Sequence, residues 1–299
     1  SDVCSSDLEV PSDPSLEFVE SGRDRVDRAS VESALTEFVN GVLSRVKGAA
    51  DERLDAVAGT WSTILSASSS EADFCTVVGR LGLDPYQLAE VPEALLDFIE
   101  REIDNPHRPI LKDLTETSEP NEVMEQLQWV RRTTSELALG AGCPDPSWRD
   151  VQGAAAVAAN EGYRLANLTR LRAGLSPVDP VESVTDFARH GVGISLHTSD
   201  SNHLSGKHVQ ALVGWSRDGS VTLAGPRPPR SDSQRFLESR GLYQAMFGCD
   251  QSERLLTRAY TWDQQSSRAF AAELLAPRAA LVARVKGTAD EDDLAKLSE

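Results

Sequence analysis

Two neighbouring stretches decide the fold of this chain, and each is expected to form a helix. The first is Asp232-Ser-Gln-Arg-Phe-Leu-Glu-Ser-Arg-Gly-Leu-Tyr-Gln-Ala-Met-Phe-Gly248, and the second is Arg268-Ala-Phe-Ala-Ala-Glu-Leu-Leu-Ala-Pro277. Prolines in Pro226-Arg-Pro-Pro229 break the chain before the first stretch, and Pro277 suits the start of a further helix at 278–285. We therefore expect a pair of long helices close together near the C-terminal end of the sequence.

The segments before this pair change from a helical to a strand-like pattern. Helices are expected at 151–173 and 181–190, after which apolar and polar residues alternate at 192–198 and at 209–215. The Asp-Gly pair in Arg217-Asp-Gly-Ser220 suits a hairpin turn that leads into 221–224. This part of the chain therefore predicts a three-stranded sheet packed on helices.

The N-terminal half has only helical patterns. Apolar residues recur every three or four positions at 30–46, which predicts an amphipathic helix whose apolar stripe faces a core. Similar patterns follow to about residue 140, where Gly140-Ala-Gly-Cys-Pro-Asp-Pro146 interrupts them. We expect a mostly helical α+β protein, with an all-helical domain at 15–140 and a second domain at 150–287.

The two ends have a different composition from the rest of the chain. Residues 1–14 are polar and rich in Ser, Asp and Pro, so they are expected to be disordered or foreign to the fold. Residues 288–299 begin with acidic residues typical of a first helical turn and hold two leucines, Leu294 and Leu297. They predict the start of a truncated C-terminal helix, and the chain is interpreted as a fragment.

Charge and cysteine content narrow the class of partner and compartment. The formal net charge is -17, which makes direct binding to nucleic acid unfavourable and a protein partner the better expectation. The four cysteines are far apart in sequence, as expected for free thiols in a reducing compartment, so we expect a cytoplasmic protein. No apolar run is long enough for a membrane span.

The order of these elements resembles the ImmA/IrrE family of zinc metallo-endopeptidases over roughly residues 160–285. The resemblance rests on a helix, a hairpin, a helix that opens with Arg235-Phe236, and then Phe270-Ala-Ala-Glu-Leu-Leu-Ala-Pro277. It implies a zincin-like domain with a small sheet. In that family it also implies a zinc cofactor and cleavage of a helix-turn-helix regulator in stress or phage responses.

The zinc motif of that family, H-E-x-x-H, is not present. Matching Arg235-Phe236 to the family pattern puts Arg240 and Gln244 at the two histidine positions and Gly241 at the glutamate position. Gln264 and Ser266 fall where the family carries carboxylates on the second helix. Because Arg has no lone pair to donate and Gly has no basic side chain, we expect neither a bound cofactor nor a catalytic residue at these degenerate positions.

Other residues do not rebuild the site in an obvious way, since no two of the five histidines share a helix face. We expect Arg240 either to be buried against Glu273 or Asp263, or to lie at the surface. The leading hypothesis is an inactive relative that binds a transcriptional regulator or an effector. Two alternatives stay open: a divergent zinc endopeptidase that cleaves a helix-turn-helix repressor, and a helical protein-interaction module.

Overall fold

The computed structural model of the chain describes residues 28–47, 51–67, 69–86, 93, 96, 97, 99, 108–118, 120–140, 148, 151, 155–201, 208–216, 218–248 and 253–284. The terminal segments predicted at 1–14 and 288–299 lie outside these residues. Most of the breaker cluster that separates the two predicted domains, residues 141–146, also lies outside them. Those boundaries therefore stay predictions.

The molecule is mostly helical, and most of its helices begin and end close to the periodic patterns, but the helix predicted at 151–173 begins at Ala158 and the predicted start is wrong. The described helices are α1 (Arg28–Val46), α2 (Glu52–Ser66), α3 (Ser69–Arg80), α4 (Arg108–Thr115), α5 (Pro120–Glu136), α6 (Ala158–Arg172), α7 (Val184–Phe187), α8 (Ser231–Phe247), α9 (Trp262–Leu275) and α10 (Arg278–Arg284). Several starts follow local rules. Asp51 caps α2 by accepting the backbone N–H of Arg53 at 2.9 Å, and Pro120 is the first residue of α5.

The prediction of three strands in the sheet is wrong. The described sheet has four strands of five to eight residues, β2 (Leu196–Asp200), β3 (Val209–Ser216), β4 (Val221–Gly225) and β5 (Glu253–Thr257), and a two-residue strand, β1 (Leu139–Gly140). Strand β3 is central, because it pairs antiparallel with β4 on one side and with β5 and β1 on the other. Strand β2 pairs parallel with β4, so the sheet is mixed.

The differences from the predicted strands have local causes. The residues before β2 continue α7 as a single π-helical turn, Ala188–Val192, so β2 begins later than the alternating pattern indicated. Strand β5 has a sequence, Glu-Arg-Leu-Leu-Thr, without a period-two pattern, because both its ends are buried polar residues. Such a strand is recognised only once its neighbour β3 is known.

The sheet is covered on both faces, and alternate residues of its strands enter two different hydrophobic clusters. Ala211 and Val213 of β3 join a cluster with residues of α6, α7, α8 and α9. Leu212 of β3 joins a second cluster with residues of α3, α4 and α5. Successive side chains of a strand point to opposite faces of the sheet, so one face packs on each group of helices. The result is three layers: helices, sheet and helices.

Helices α6 and α9 approach so closely that only glycine fits at the crossing. A Cβ atom added at Gly162 would lie 2.2 Å from the backbone oxygen of Ser266 and 2.7 Å from Cβ of Ala269. Ser266 also donates its hydroxyl to the backbone oxygen of Ala158 at 2.9 Å. This crossing fixes the position of α9, on which Gln264 lies.

The chain divides into two compact units, Ser1–Glu71 and Ala72–Glu299. The first contains α1 and α2, which contact each other. The prediction that the apolar stripe of α1 faces a core is wrong, because four of its apolar side chains are exposed. Among the described residues, no helix has both the length and the apolar character that crossing a membrane requires.

Candidate functional site

Helix α8 is buried on all sides over its last three turns. Every residue from 237 to 247 is buried, including the polar residues Glu238, Ser239, Arg240 and Gln244. The helix contacts α9 and three strands of the sheet, so side chains on every side of it pack against other parts of the chain. A polar side chain in this position needs hydrogen-bond partners, because the loss of water is otherwise uncompensated.

Arg240 meets this requirement with four hydrogen bonds to neutral acceptors. Its side chain is 2% exposed. Nη2 donates to the backbone oxygen of Thr257 at 2.9 Å and to Oε1 of Gln264 at 2.6 Å, and Nε donates to Oγ of Ser267 at 3.2 Å. Nη1 donates to Oε1 of Gln210 on β3. The guanidinium therefore connects α8 with β3, β5 and α9.

The amide of Gln264 is the second centre of this network. Besides the bond from Arg240, Oε1 accepts the backbone N–H of Thr257 at 3.0 Å. Nε2 donates to the backbone oxygen of Leu255 at 2.6 Å and to Oδ2 of Asp113 at 2.8 Å. All four hydrogen-bonding positions of the amide are used, so its orientation is fixed.

Asp113 brings a carboxylate to the network from α4, far away in sequence. Its Oδ1 accepts the hydroxyl of Thr261 at 3.0 Å, and its Oδ2 accepts the amide of Gln264. Sequence analysis missed this residue. One signal was available: Asp113 is three positions after Ile110 and next to Leu114 on a short helix, and both of these apolar residues are buried.

The electrostatics of the network are set by the loss of water. Burial raises the pKa of Asp113 to about 6, although hydrogen bonds from Gln264 and Thr261 oppose the shift. Burial, together with the nearby cation of Arg268, lowers the pKa of Arg240 to about 9. At neutral pH the network therefore holds a cation and a carboxylate that are joined through the neutral amide of Gln264.

These residues do not fit a zinc ion. A guanidinium offers only N–H donors and carries a positive charge, and both polar atoms of the Gln264 amide already have protein partners. Among the residues that the structure describes, no group of three or more His, Cys, Asp or Glu side chains is arranged to hold a metal ion. Of the described histidines, His190 and His197 are exposed and His208 is half-buried.

The structure brings together only some of the five degenerate positions. Arg240 and Gln264 are in contact, but Ser266 turns away to bond with α6. Gly241 faces β4, where an added Cβ would lie 3.0 Å from Cδ1 of Leu223. Gln244 is 3% exposed, and neither of its amide atoms has a hydrogen-bond partner among the described residues.

The acidic partners predicted for Arg240 are wrong. Oδ2 of Asp263 accepts from Nη1 of Arg254 at 3.3 Å. Glu273 accepts from the side-chain amide of Asn167 at 3.1 Å and from the backbone N–H of Arg278 at 3.3 Å, which caps α10. The burial of Arg240 could be foreseen as one of two alternatives, but its partners are amide, hydroxyl and carbonyl oxygens.

A pocket of about 130 Å³ lies at the carboxyl ends of the parallel strands β2 and β4. Its lining comes from the end of β2, the proline-rich segment after β4 and the first turns of α8, and includes Thr198, Ser199, Asp200, Arg227, Gln234 and Leu237. Leu223 and Ala211 form an apolar floor. Nε of Arg227 donates to Oε1 of Gln234 at 3.2 Å across one side.

No protein-family model matches the chain, and no curated protein matches it. The assignment of a function therefore rests on the contacts within the molecule and on the resemblance of its motifs.

Proposed function

We propose that this protein is a catalytically inactive relative of the ImmA/IrrE zinc peptidases, and that it acts as a regulatory protein by binding a transcriptional regulator. The observation that carries the proposal is the contact between Arg240 and Gln264, whose Nη2 and Oε1 atoms are 2.6 Å apart. Motif matching assigned both residues to zinc-ligand positions, although they are on different helices. Side chains that replace two ligands of one ion are expected to meet in this way.

The hydrogen bonds of Arg240 support a structural role for the residue that replaces the first histidine. A metal ion between two helices ties them together, and its loss removes that tie. The guanidinium supplies a comparable connection, since it bonds to Gln264 and Ser267 on α9 and to Thr257 at the end of β5. The inactive site is thereby filled by protein groups, so the fold persists without the chemistry.

The pocket beside β2 is the binding site that we assign to the regulator. Its volume is below that of a typical small-molecule site, so it suits one side chain or a short segment of a larger partner. Among the described residues, β2 pairs with β4 on one edge and with no strand on the other. An extended segment of the regulator can add to that edge and place a side chain in the pocket.

Charge favours a regulator of the DNA-binding class as the partner. The chain has a formal net charge of -17, and the pocket includes Asp200. DNA-binding proteins carry clusters of basic residues that neutralise phosphates, so the two proteins attract each other over long distances. The same negative charge disfavours direct binding of this chain to DNA.

The test uses the full chain and any helix-turn-helix regulator that proves to be encoded beside it. We expect a stable complex by calorimetry, with the regulator still intact after incubation with zinc. Thr198→Trp fills the pocket and should weaken binding by about tenfold or more, whereas His197→Trp, on the adjacent exposed position outside the pocket, should change it little. Chelator-sensitive cleavage of a regulator would contradict the proposal, and equal effects of the two variants would remove the pocket from it.

A further inference from the structure

Helices α1 and α2 form a hairpin that lacks a buried core of its own. The indole N–H of Trp61 on α2 donates to Oδ1 of Asn40 on α1 at 2.9 Å, which connects the two helices. No residue of α2 is buried, and the described residues of α1 are exposed or half-buried. Two helices of this length gain too little from propensity alone to stay folded, so a partner surface is needed.

The exposed side of α1 has the spacing of a helix-packing seam. Val31, Leu35, Phe38 and Val42 follow one another at intervals of four, three and four residues, and they are 40 to 68% exposed. Apolar residues whose spacing alternates between four and three form one continuous stripe that packs against another helix. A second row on α1, which includes Val39, Leu43 and Val46, is half-buried, so the exposed stripe is additional to the packing within the hairpin.

Helix α2 adds to the exposed apolar surface. Val57, Ile64 and Leu65 are 40 to 53% exposed, so the hairpin presents seven large apolar side chains to solvent. Single exposed apolar residues are ordinary, but a grouping on this scale marks an interaction surface. A hairpin of 19 and 15 helical residues offers a face roughly 25 Å long and 20 Å wide. Two such faces bury roughly 1,000 Å² in total, which is the lower limit for a specific interface and is typical of a weak, concentration-dependent dimer.

We propose that this surface binds the hairpin of a second copy of the chain and forms a four-helix bundle. The charge distribution favours this occupant. Residues 28–66 contain four basic and five acidic side chains, a formal charge of -1, whereas the whole chain carries -17. The remaining residues together carry a formal charge of -16, so contact through the hairpins brings together the part of each chain that adds least to the repulsion.

The two-fold arrangement also supplies what each hairpin lacks. A second apolar stripe of identical spacing covers the first, so residues that are exposed in one copy become core residues of the bundle. The proposal is independent of the proposed binding of a regulator. It concerns a different unit of the chain and predicts association even when no other protein is present.

Light scattering of the full chain between about 1 and 100 μM tests the proposal. We expect twice the chain mass at the upper end of this range. Leu35→Glu/Phe38→Glu should weaken self-association at least about tenfold, because it places four carboxylates in the interface of the dimer. Ser33→Glu is the matched control, since it adds charge to an exposed position on the opposite side of α1 and should leave the dimer intact.

Amide hydrogen exchange of α1 provides a second measurement that does not depend on a variant. In the wild-type chain, exchange in α1 should slow as the protein concentration rises, and in the double variant it should not. A chain that is monomeric throughout this range would overturn the proposal. A monomer whose melting temperature falls on Leu35→Glu/Phe38→Glu would overturn it too, and would indicate that the same chain or another protein covers the stripe.

Discussion

The two units of this molecule depart from the usual distribution of polar and apolar residues in opposite directions. In the larger unit, Arg240, Gln264 and Glu238 are buried. In the hairpin of α1 and α2, Leu35 and Phe38 are more than half exposed. Buried charge and exposed apolar surface are both unfavourable for an isolated soluble chain.

The units differ in which molecule compensates for these unfavourable residues. The buried guanidinium has its hydrogen-bond partners within the same chain, so the network of Arg240 is complete without any other molecule. The apolar stripe of α1 has no such cover from α2, the other described helix of the hairpin. The polar network therefore stabilises the fold of its own chain, whereas the stripe is the surface that we propose for association.

The largest expected effect is that of removing the buried cation. Arg240→Met removes the donor to Oε1 of Gln210 and one of two donors to Oε1 of Gln264 and to the backbone oxygen of Thr257. It also takes a cation away from Asp113, so we expect a loss of about 3 to 5 kcal/mol in the free energy of unfolding. Urea denaturation measures it. Arg230→Met, at an exposed arginine, is the control and should cost less than about 0.5 kcal/mol. Equal effects would mean that Arg240 is not part of a buried network.

A smaller effect is expected from the titration of Asp113. Because its pKa is raised from 3.8 to about 6 on folding, the folded chain binds more protons than the unfolded chain between these values. The contribution of Asp113 to stability is thus largest at low pH and is lost as the pH rises from about 4 to 6. Asp113→Asn removes this dependence while preserving the shape of the side chain.

The measurement is the stability difference between Asp113→Asn and wild type over the pH range 3 to 8. The difference should shift in favour of the variant by about 1 to 3 kcal/mol across the window between the two pKa values, and stay constant above it. Other acids titrate equally in both proteins and cancel. A difference that does not change with pH would show that the carboxylate is solvated.

Two glutamines provide an internal comparison within the buried region. Gln264 has four hydrogen bonds, so Gln264→Met should cost about 2 kcal/mol or more, because Arg240 and Asp113 each lose a partner. Gln244 has no partner in the described structure, so Gln244→Met should be neutral or stabilise by about 1 kcal/mol. If Gln244→Met destabilised as strongly as Gln264→Met, its amide would have an unrecognised partner.

The smallest effect on folding is expected in the hairpin. Leu65→Ser on α2 replaces a side chain that is 53% exposed, and in dilute solution it should change the free energy of unfolding by less than about 0.5 kcal/mol. Leu242→Ala in the core should cost about 2 to 5 kcal/mol by the same measurement. A large effect of Leu65→Ser in the monomer would mean that the hairpin is covered by its own chain.

Sequence patterns predicted most of the helices but not the whole sheet or the network. The bounds of α2, from Glu52 to Ser66, follow from an aspartate cap and a serine cluster, which act locally. Strand β5 has no alternation, so it could not be separated from a loop before its pairing with β3 was seen. Local signals therefore predict helix ends well, whereas strands that depend on their neighbours are missed.

The sequence indicated which residues to examine at the candidate site, but it did not predict their hydrogen-bond partners. Motif matching selected Arg240 and Gln264, and the structure brings these two side chains into contact, whereas Ser266 bonds elsewhere and the amide of Gln244 has no partner among the described residues. It assigned the wrong acids, since Asp263 and Glu273 are close in sequence whereas Asp113 comes from α4. Likewise, the stripe of α1 was recognised from its period, but sequence alone does not distinguish a core-facing stripe from an exposed one.

The zinc content of the purified full chain tests the central claim most directly. After incubation with zinc and removal of excess, the account predicts well below one zinc per chain and no change in melting temperature on addition of a chelator, because the Arg240 guanidinium takes the place of the ligands. About one tightly bound zinc per chain, with a chelator lowering the melting temperature, would contradict it.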